Sequence, residues 1–315
     1  MPTFTRVLCP VDLSETSGHA VSLAAALTAS PPCQLTVQYV YVPMFMPVPM
    51  LPVPGDRVPP GEFDRVVEDV RTFATAAGCR SGVPVVVDVG RPDFEILKRA
   101  AEDTADVIVM GTHGAGGFSH LVLGSVTEKV LRQAPCPVLA VPPGARASSA
   151  VPFRQVVCAV DFSDWSVAAL DLAASLAHET GATVTAVHAI EWPWREPPAP
   201  TLTDLPPEQA AALLEFRRYT SERAVARLRD VVRDVVAGRC ETSTEIVHGK
   251  SHIELVRVAS ARQADLIVMS SHGRTGLGRL IMGSVAESVL RQAACPVLIV
   301  KPNTQVASAA AVGSK

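Results

Sequence analysis

Two short patterns in this chain combine residue types suited to holding a phosphate. In the first, Gly111-x-x-Gly114 is followed nine residues later by Gly124-Ser125. In the second, Ser270-x-x-Gly273 is followed nine residues later by Gly283-Ser284. Each pattern begins at the end of an apolar run (VIVM before Gly111, LIVM before Ser270) and finishes where helical periodicity starts. Glycine lets the main chain come close to an oxyanion and reach positive φ. A helix start offers unpaired N–H groups and a partial positive charge. The combination predicts an anion cradle at the carboxyl end of a buried strand, where open α/β sheets take their ligands. Each backbone donor to a charged phosphate would contribute about 1.5–3 kcal/mol.

The same residues also admit plainer roles. Ser125-Val-Thr-Glu128 and Ser284-Val-Ala-Glu287 have capping-box spacing, which helps any helix begin. Asp12 and Asp161 stand just before Ser14 and Ser163, as helix caps would. His113 and His272 fit either a loop or a phosphate contact. His248 and His252 have a zinc-compatible spacing but no third ligand, which favours solvated side chains. Met44, Met46 and Met50 lie in a proline-rich stretch that reads as an apolar flap over a ligand or a partner subunit. Trp192 and Trp194 hold the same place later in the chain.

The elements that must position these groups occur twice. Residues 107–131 return as 266–290, CPVD at 9–12 returns as CAVD at 158–161, and CPVLAVP at 136–142 returns as CPVLIVKP at 295–302. A repeat this long is a domain rather than a solenoid unit. In the first copy strands are expected at 6–11, 34–42, 83–89, 106–111 and 137–141, with helices at 14–29, 62–77, 92–102 and 126–133. The short, wholly apolar strands suit a parallel sheet covered by helices on both faces. Asp12 and Asp161 differ by 149 positions, whereas Gly90 and Gly249, like Gly114 and Gly273, differ by 159. Ten extra residues therefore enter the second copy within 191–238. The expected organisation is a first module at 1–143, a linker at 144–152, a second module at 153–302, and a small, polar, disordered tail at 303–315.

Composition narrows the function classes. A net charge of -3 leaves no electrostatic footprint for nucleic acid. No apolar run is long enough to span a bilayer, and the N-terminus enters a strand directly, so a cytoplasmic protein is expected. The seven cysteines show no CxxC, so free thiols are expected. GxxxxGK[ST] is absent, as is a GxGxxG after the first strand or a nucleophile elbow.

At these residues the chain resembles a tandem universal stress protein of the ATP-binding subclass, whose mark is G-2x-G-9x-G-(S/T). The likeness covers nearly all of residues 6–302. It implies two doubly wound α/β modules, each a five-stranded parallel sheet of order 3-2-1-4-5. It implies adenine and ribose against Pro10, Val11, Asp12 and Val40, with phosphates at Gly111, His113, Gly114, Gly124, Ser125, Val126 and Thr127. In the second module it implies Ala159, Val160, Asp161 and Ala189, then Ser270, His272, Gly273, Gly283, Ser284, Val285 and Ala286. Two departures stand out. Ser270 replaces the first glycine, which matters if that position needs positive φ. The second loop also carries Arg274 and Arg279 where the first has Ala115 and His120. Both sites are expected to bind, with unequal affinity.

The resulting expectation is an ATP-binding stress-response regulator without dedicated catalysis, in which slow incidental hydrolysis is allowed and Mg²⁺ is open as a companion ion. The alternative is an interaction scaffold with vestigial nucleotide sites. A small-molecule enzyme on the same fold would need a more pyrophosphate-like loop. The resemblance also implies pairing of the two last strands as an intramolecular pseudo-dimer, further association into a homodimer, and a downstream protein partner of unspecified kind.

Overall fold

Apolar, β-branched runs bounded by turn residues become the strands, and the stretches between them with helical spacing become the covering helices. The computed structural model describes residues 3–30, 32–42, 61–113, 123–143, 145, 153–191, 205–273 and 282–301. The first half runs β1 (Arg6–Val11), α1 (Glu15–Leu27), β2 (Gln34–Tyr41), α2 (Glu62–Ala76), β3 (Val85–Val89), α3 (Pro92–Glu102), β4 (Val107–Gly111), α4 (Ser125–Gln133) and β5 (Val138–Val141). The second repeats it as β6 (Gln155–Ala159), α5 (Asp164–Thr180), β7 (Thr183–Ile190), α6 (Pro207–Val236), β8 (Thr242–His248), α7 (Ser251–Ala261), β9 (Leu266–Ser270), α8 (Ser284–Gln292) and β10 (Val297–Val300). The tail expected to be disordered, most of the linker, and the Met and Trp loops lie outside the described residues.

The strands make one ten-stranded sheet in the order β3-β2-β1-β4-β5-β10-β9-β6-β7-β8. Each half has the expected order and is parallel throughout, but the two sheets are continuous rather than separate. They join where β5 and β10 pair antiparallel, with Leu139 opposite Leu298. That join reverses strand direction. The carboxyl ends of the two halves therefore open at opposite edges of the sheet, and so do the two phosphate patterns.

Two apolar layers flank the sheet. One gathers residues of α1, α2, α5 and α6, including Val21, Val70, Leu170 and Leu228. The other gathers residues of α3, α4, α7 and α8, including Ile96, Val130, Leu255 and Val289. Both layers run across the two halves, because alternate strand residues face opposite sides.

The ten extra residues of the second half go into helix rather than loop. Helix α6 has 30 residues and α2 has 15. Its buried residues Ala224, Leu228, Val232 and Val236 all lie in its C-terminal half. At about 45 Å it far exceeds β8, about 23 Å long. Its N-terminal half therefore rises past the carboxyl end of β8, where the Ser221 hydroxyl meets His248 Nε2 at 3.0 Å.

Candidate functional site

The turn from β1 into α1 is built the same way in both halves. Leu13 (φ 63°) and Phe162 (φ 66°) sit in the left-handed region, which costs a non-glycine residue about 1–2 kcal/mol. Hydrogen bonds hold the strained turn. Asp12 Oδ1 accepts from the Ser14 N–H at 3.1 Å and from its hydroxyl, and Asp161 Oδ1 accepts from the Ser163 N–H at 2.9 Å and from its hydroxyl. The serine oxygens then accept from Ser17 N and Ser166 N, both at 3.2 Å, so the serines are the helix caps. This corrects the plainer reading of the aspartates. They do not cap the helices but fix the residues that do, at the mouth of each crevice.

The glycine patterns close β4 and β9. Gly111, Gly124, Gly273 and Gly283 are all absent from the residues with positive φ, and Gly124 and Gly283 lie near φ -60° and -64°. Positive φ is therefore not what these positions require. Closeness is the reason at Gly111, where a Cβ would stand 2.9 Å from Thr16 Cγ2 and 3.3 Å from the His113 carbonyl oxygen. Ser270 accommodates its side chain at the equivalent place and donates to the His272 carbonyl at 2.7 Å. The hydroxyl has changed element between the halves. In the first it belongs to buried Thr127, which donates to the Gly111 carbonyl at 2.9 Å, and the second has Ala286 there. The glycines with positive φ lie elsewhere. Gly90 (φ 150°) and Gly249 (φ 144°) follow β3 and β8, and a side chain there would press on Glu95 and Glu254.

The helix starts also differ from the capping-box expectation. The capping positions of α4 and α8 are Gly124 and Gly283, and Ser125 and Ser284 are the first helical residues. Both serines are exposed. Gly124 N–H donates back to the Thr112 carbonyl at 2.8 Å, and Gly283 N–H to the Ser271 carbonyl at 2.9 Å. The first helical bonds are Glu128 N–H to Gly124 and Glu287 N–H to Gly283. The amides of Ser125, Val126 and Thr127, and of Ser284, Val285 and Ala286, thus precede the helical ladder and are its unsatisfied donors.

Other groups assemble around these amides. His113 Nδ1 lies 2.8 Å from the Thr112 hydroxyl, and His272 Nδ1 lies 2.8 Å from the Ser271 hydroxyl, which fixes both rings beside the strand ends. Asp161 faces the motif directly, since its Oδ2 would stand 3.2 Å from a Cβ placed on Gly273. Pro10, Val11, Val40 and Val160 are buried along the ends of β1, β2 and β6, with Ala159 and Ala189 half-buried beside them. Val11 pairs with Tyr39, next to Val40, and Val160 N–H donates to the Val187 carbonyl at 2.8 Å. Gly114 and Arg274, with Ala115, His120 and Arg279, lie outside the described residues.

Sequence reasoning missed two groupings. Phe162 stacks on His188 with centroids 4.3 Å apart, and the Arg227 guanidinium lies 4.4 Å above the Phe162 ring. Lys301, just after β10, is buried and donates to the Leu131 carbonyl near the end of α4 in the other half. Pro142 holds the matching place in the first half. The first grouping crosses elements far apart in sequence and the second crosses the pseudo-dyad, so neither leaves a local pattern.

Titratable chemistry is sparse here. All seven cysteines are free. Burial pushes the Cys136 and Cys295 thiols up to about 12 and those of Cys9 and Cys158 higher still, so none is a ready nucleophile. Among the described residues no group of three or more His, Cys, Asp or Glu side chains is placed to hold a metal ion, His248 and His252 included. Among the same residues no helix is long and apolar enough to cross a membrane.

The profile of the Universal stress protein family matches residues 3–142 and again residues 152–301. The chain belongs to the universal stress protein family. A universal stress protein of Mycolicibacterium smegmatis is 26% identical over 307 residues, which span 94% of this chain and 97% of that relative. Universal stress protein MJ0531 of Methanocaldococcus jannaschii is 32% identical over 150 residues, 47% of this chain and 82% of its own. The crystal structure of a universal stress protein from Archaeoglobus fulgidus shares the fold, with a TM-score of 0.63 at 23% identity over 94% of this chain and 97% of that one. This universal stress protein thus carries two family modules in tandem.

Proposed function

We propose that each crevice binds an adenine nucleotide, ATP in the first instance, and that the protein is a nucleotide-responsive stress regulator rather than a dedicated enzyme. The observation that carries this reading is the trio of N-terminal amides at α8, on the same crevice as the Asp161 carboxylate beside Gly273. The amides suit phosphate oxygens, and a carboxylate suits ribose hydroxyls. The first half has the same amides at Ser125, Val126 and Thr127 and the same anchored carboxylate at Asp12. Pro10, Val11 and Val40, with Ala159, Val160 and Ala189, would line the base and ribose. Gly111, Gly114, Gly124 and His113, with Ser270, Gly273, Gly283, His272 and Arg274, would surround the phosphates. Any Mg²⁺ would arrive with the phosphates and keep most of its waters, since protein ligands for it are lacking among the described residues.

The chemistry favours holding over cleaving. The helix amides stabilise a polyanion in ground state and transition state alike, and uniform binding does not accelerate a reaction. Titration of the full chain with ATP, with Asp12→Ala and Asp161→Ala tested singly and together, separates the crevices. Each single change is expected to remove one binding event and the double change both. Unaltered binding in the double variant refutes the placement. Turnover at rates typical of dedicated ATPases would refute the regulatory reading. Recovery of the protein without bound nucleotide, together with failure to bind added ATP, would favour the scaffold instead.

A further inference from the structure

We propose that the second crevice has a subsite for a phosphate carried on the ribose, built on Arg227, and that the first crevice lacks it. The proposal rests on the nucleotide reading above and specifies which nucleotides the second crevice selects. Phe162 directly follows Asp161, the carboxylate assigned to the ribose. Its left-handed backbone turns the ring onto His188, and His188 Nδ1 is held at 2.6 Å from the Val160 carbonyl oxygen. The ring is thus fixed from below. The Arg227 guanidinium carbon lies over it, 4.4 Å from the centroid, delivered by the long helix α6.

On α6, Arg218 pairs with Glu222, Arg233 with Asp230 and Asp234, and Arg223 lies over the ring of Tyr219 on its own helix; Arg227 is the one placed over the residue that follows Asp161. Among the described residues no carboxylate pairs with Arg227, which is exposed. A guanidinium held over a ring keeps N–H donors for other partners, and its fork suits bidentate capture of a phosphate. In α/β nucleotide folds an acid holds a free ribose hydroxyl, whereas a nearby arginine accommodates a phosphate on the ribose, so Arg227 has to offset the Asp161 charge. The first half has Leu13 and Tyr39 where the second has Phe162 and His188, so it offers no ring after the aspartate to hold an arginine.

The test is calorimetric titration of the full chain carrying Asp12→Ala, which confines binding to the second crevice. The probes are AMP, adenosine 2′,5′-bisphosphate and adenosine 3′,5′-bisphosphate, the last two distinguishing the position of the phosphate. At least one bisphosphate is expected to bind about tenfold more tightly than AMP, the margin of one charge-assisted contact. Arg227→Ala is expected to bring that ratio close to one. Phe162→Leu, which restores the first-half residue, should lower it part of the way. Equal affinity for AMP and both bisphosphates overturns the subsite, as does a ratio that survives Arg227→Ala. Failure of AMP and ATP to bind any form overturns the nucleotide reading itself, and the subsite with it.

Discussion

Gly111 and Ser270 end equivalent strands, yet only the second has a side chain, and the contact with Thr16 explains the first. Gly111→Ala is expected to destabilise the protein by about 1–3 kcal/mol through overpacking, measured by chemical denaturation. Thr16→Ser removes the obstructing methyl group and should recover most of that loss in the double variant. Ser270→Gly should cost about 1–2 kcal/mol through added chain freedom and the lost hydrogen bond to the His272 carbonyl, with no overpacking to relieve. The glycine spacing was legible in the sequence and the physical reason for it was not. Spacing shows where a side chain is missing. Whether φ, a ligand or a neighbouring side chain forbids it depends on what packs there, and Thr16 comes from another element. For the same reason Gly90 and Gly249 passed as alignment marks, although their backbones are the ones that require glycine.

Helix starts and helix lengths are the next level. Ser163→Ala should cost about 1 kcal/mol as a lost cap. It also releases Asp161, so ATP affinity at the second crevice should fall with it, while Ser163→Thr should preserve both the cap and the anchor. Calorimetry and denaturation on the same samples check the pair. In α6 the two halves of one helix should respond very unequally to truncation. Leu228, fully buried, is expected to cost about 2–5 kcal/mol when changed to Ala, and Leu214, 50% exposed, less than about 0.5 kcal/mol. Strands and helices were legible because their periods are local, and each expected first-half element lies within two residues of the structure. The ten-residue surplus was legible as a number. Its use as helix was not, because a helical pattern without a packing partner resembles a polar loop until the sheet beneath it is known.

For the whole molecule the decisive contact is β5 against β10, with Lys301 beside it. Burial pulls the Lys301 ammonium down to about 8, with Cys136 opposing the shift. Below that pH the folded state bears the full cost of a buried cation. As pH rises from about 8 toward the ordinary lysine value of 10.5, the folded form releases its proton while the unfolded chain keeps its own. Stability contributed by this group therefore rises across that window. The difference in unfolding free energy between wild type and Lys301→Met should move in the same window and flatten below it. A constant difference would place the lysine in water. The pairing of the last strands was foreseen from the family resemblance, whereas the lysine was not, because its partner Leu131 lies 170 positions away.

When two separate copies meet across a dyad, every amino-acid exchange arrives on both sides at once and must suit both. In this chain both sides are written in one polypeptide, so an exchange arrives once. Phe162 opposite Leu13 and Lys301 opposite Pro142 are one-sided exchanges of that kind. Covalent union lets each end of the sheet drift toward a ligand of its own while the shared seam keeps the fold intact.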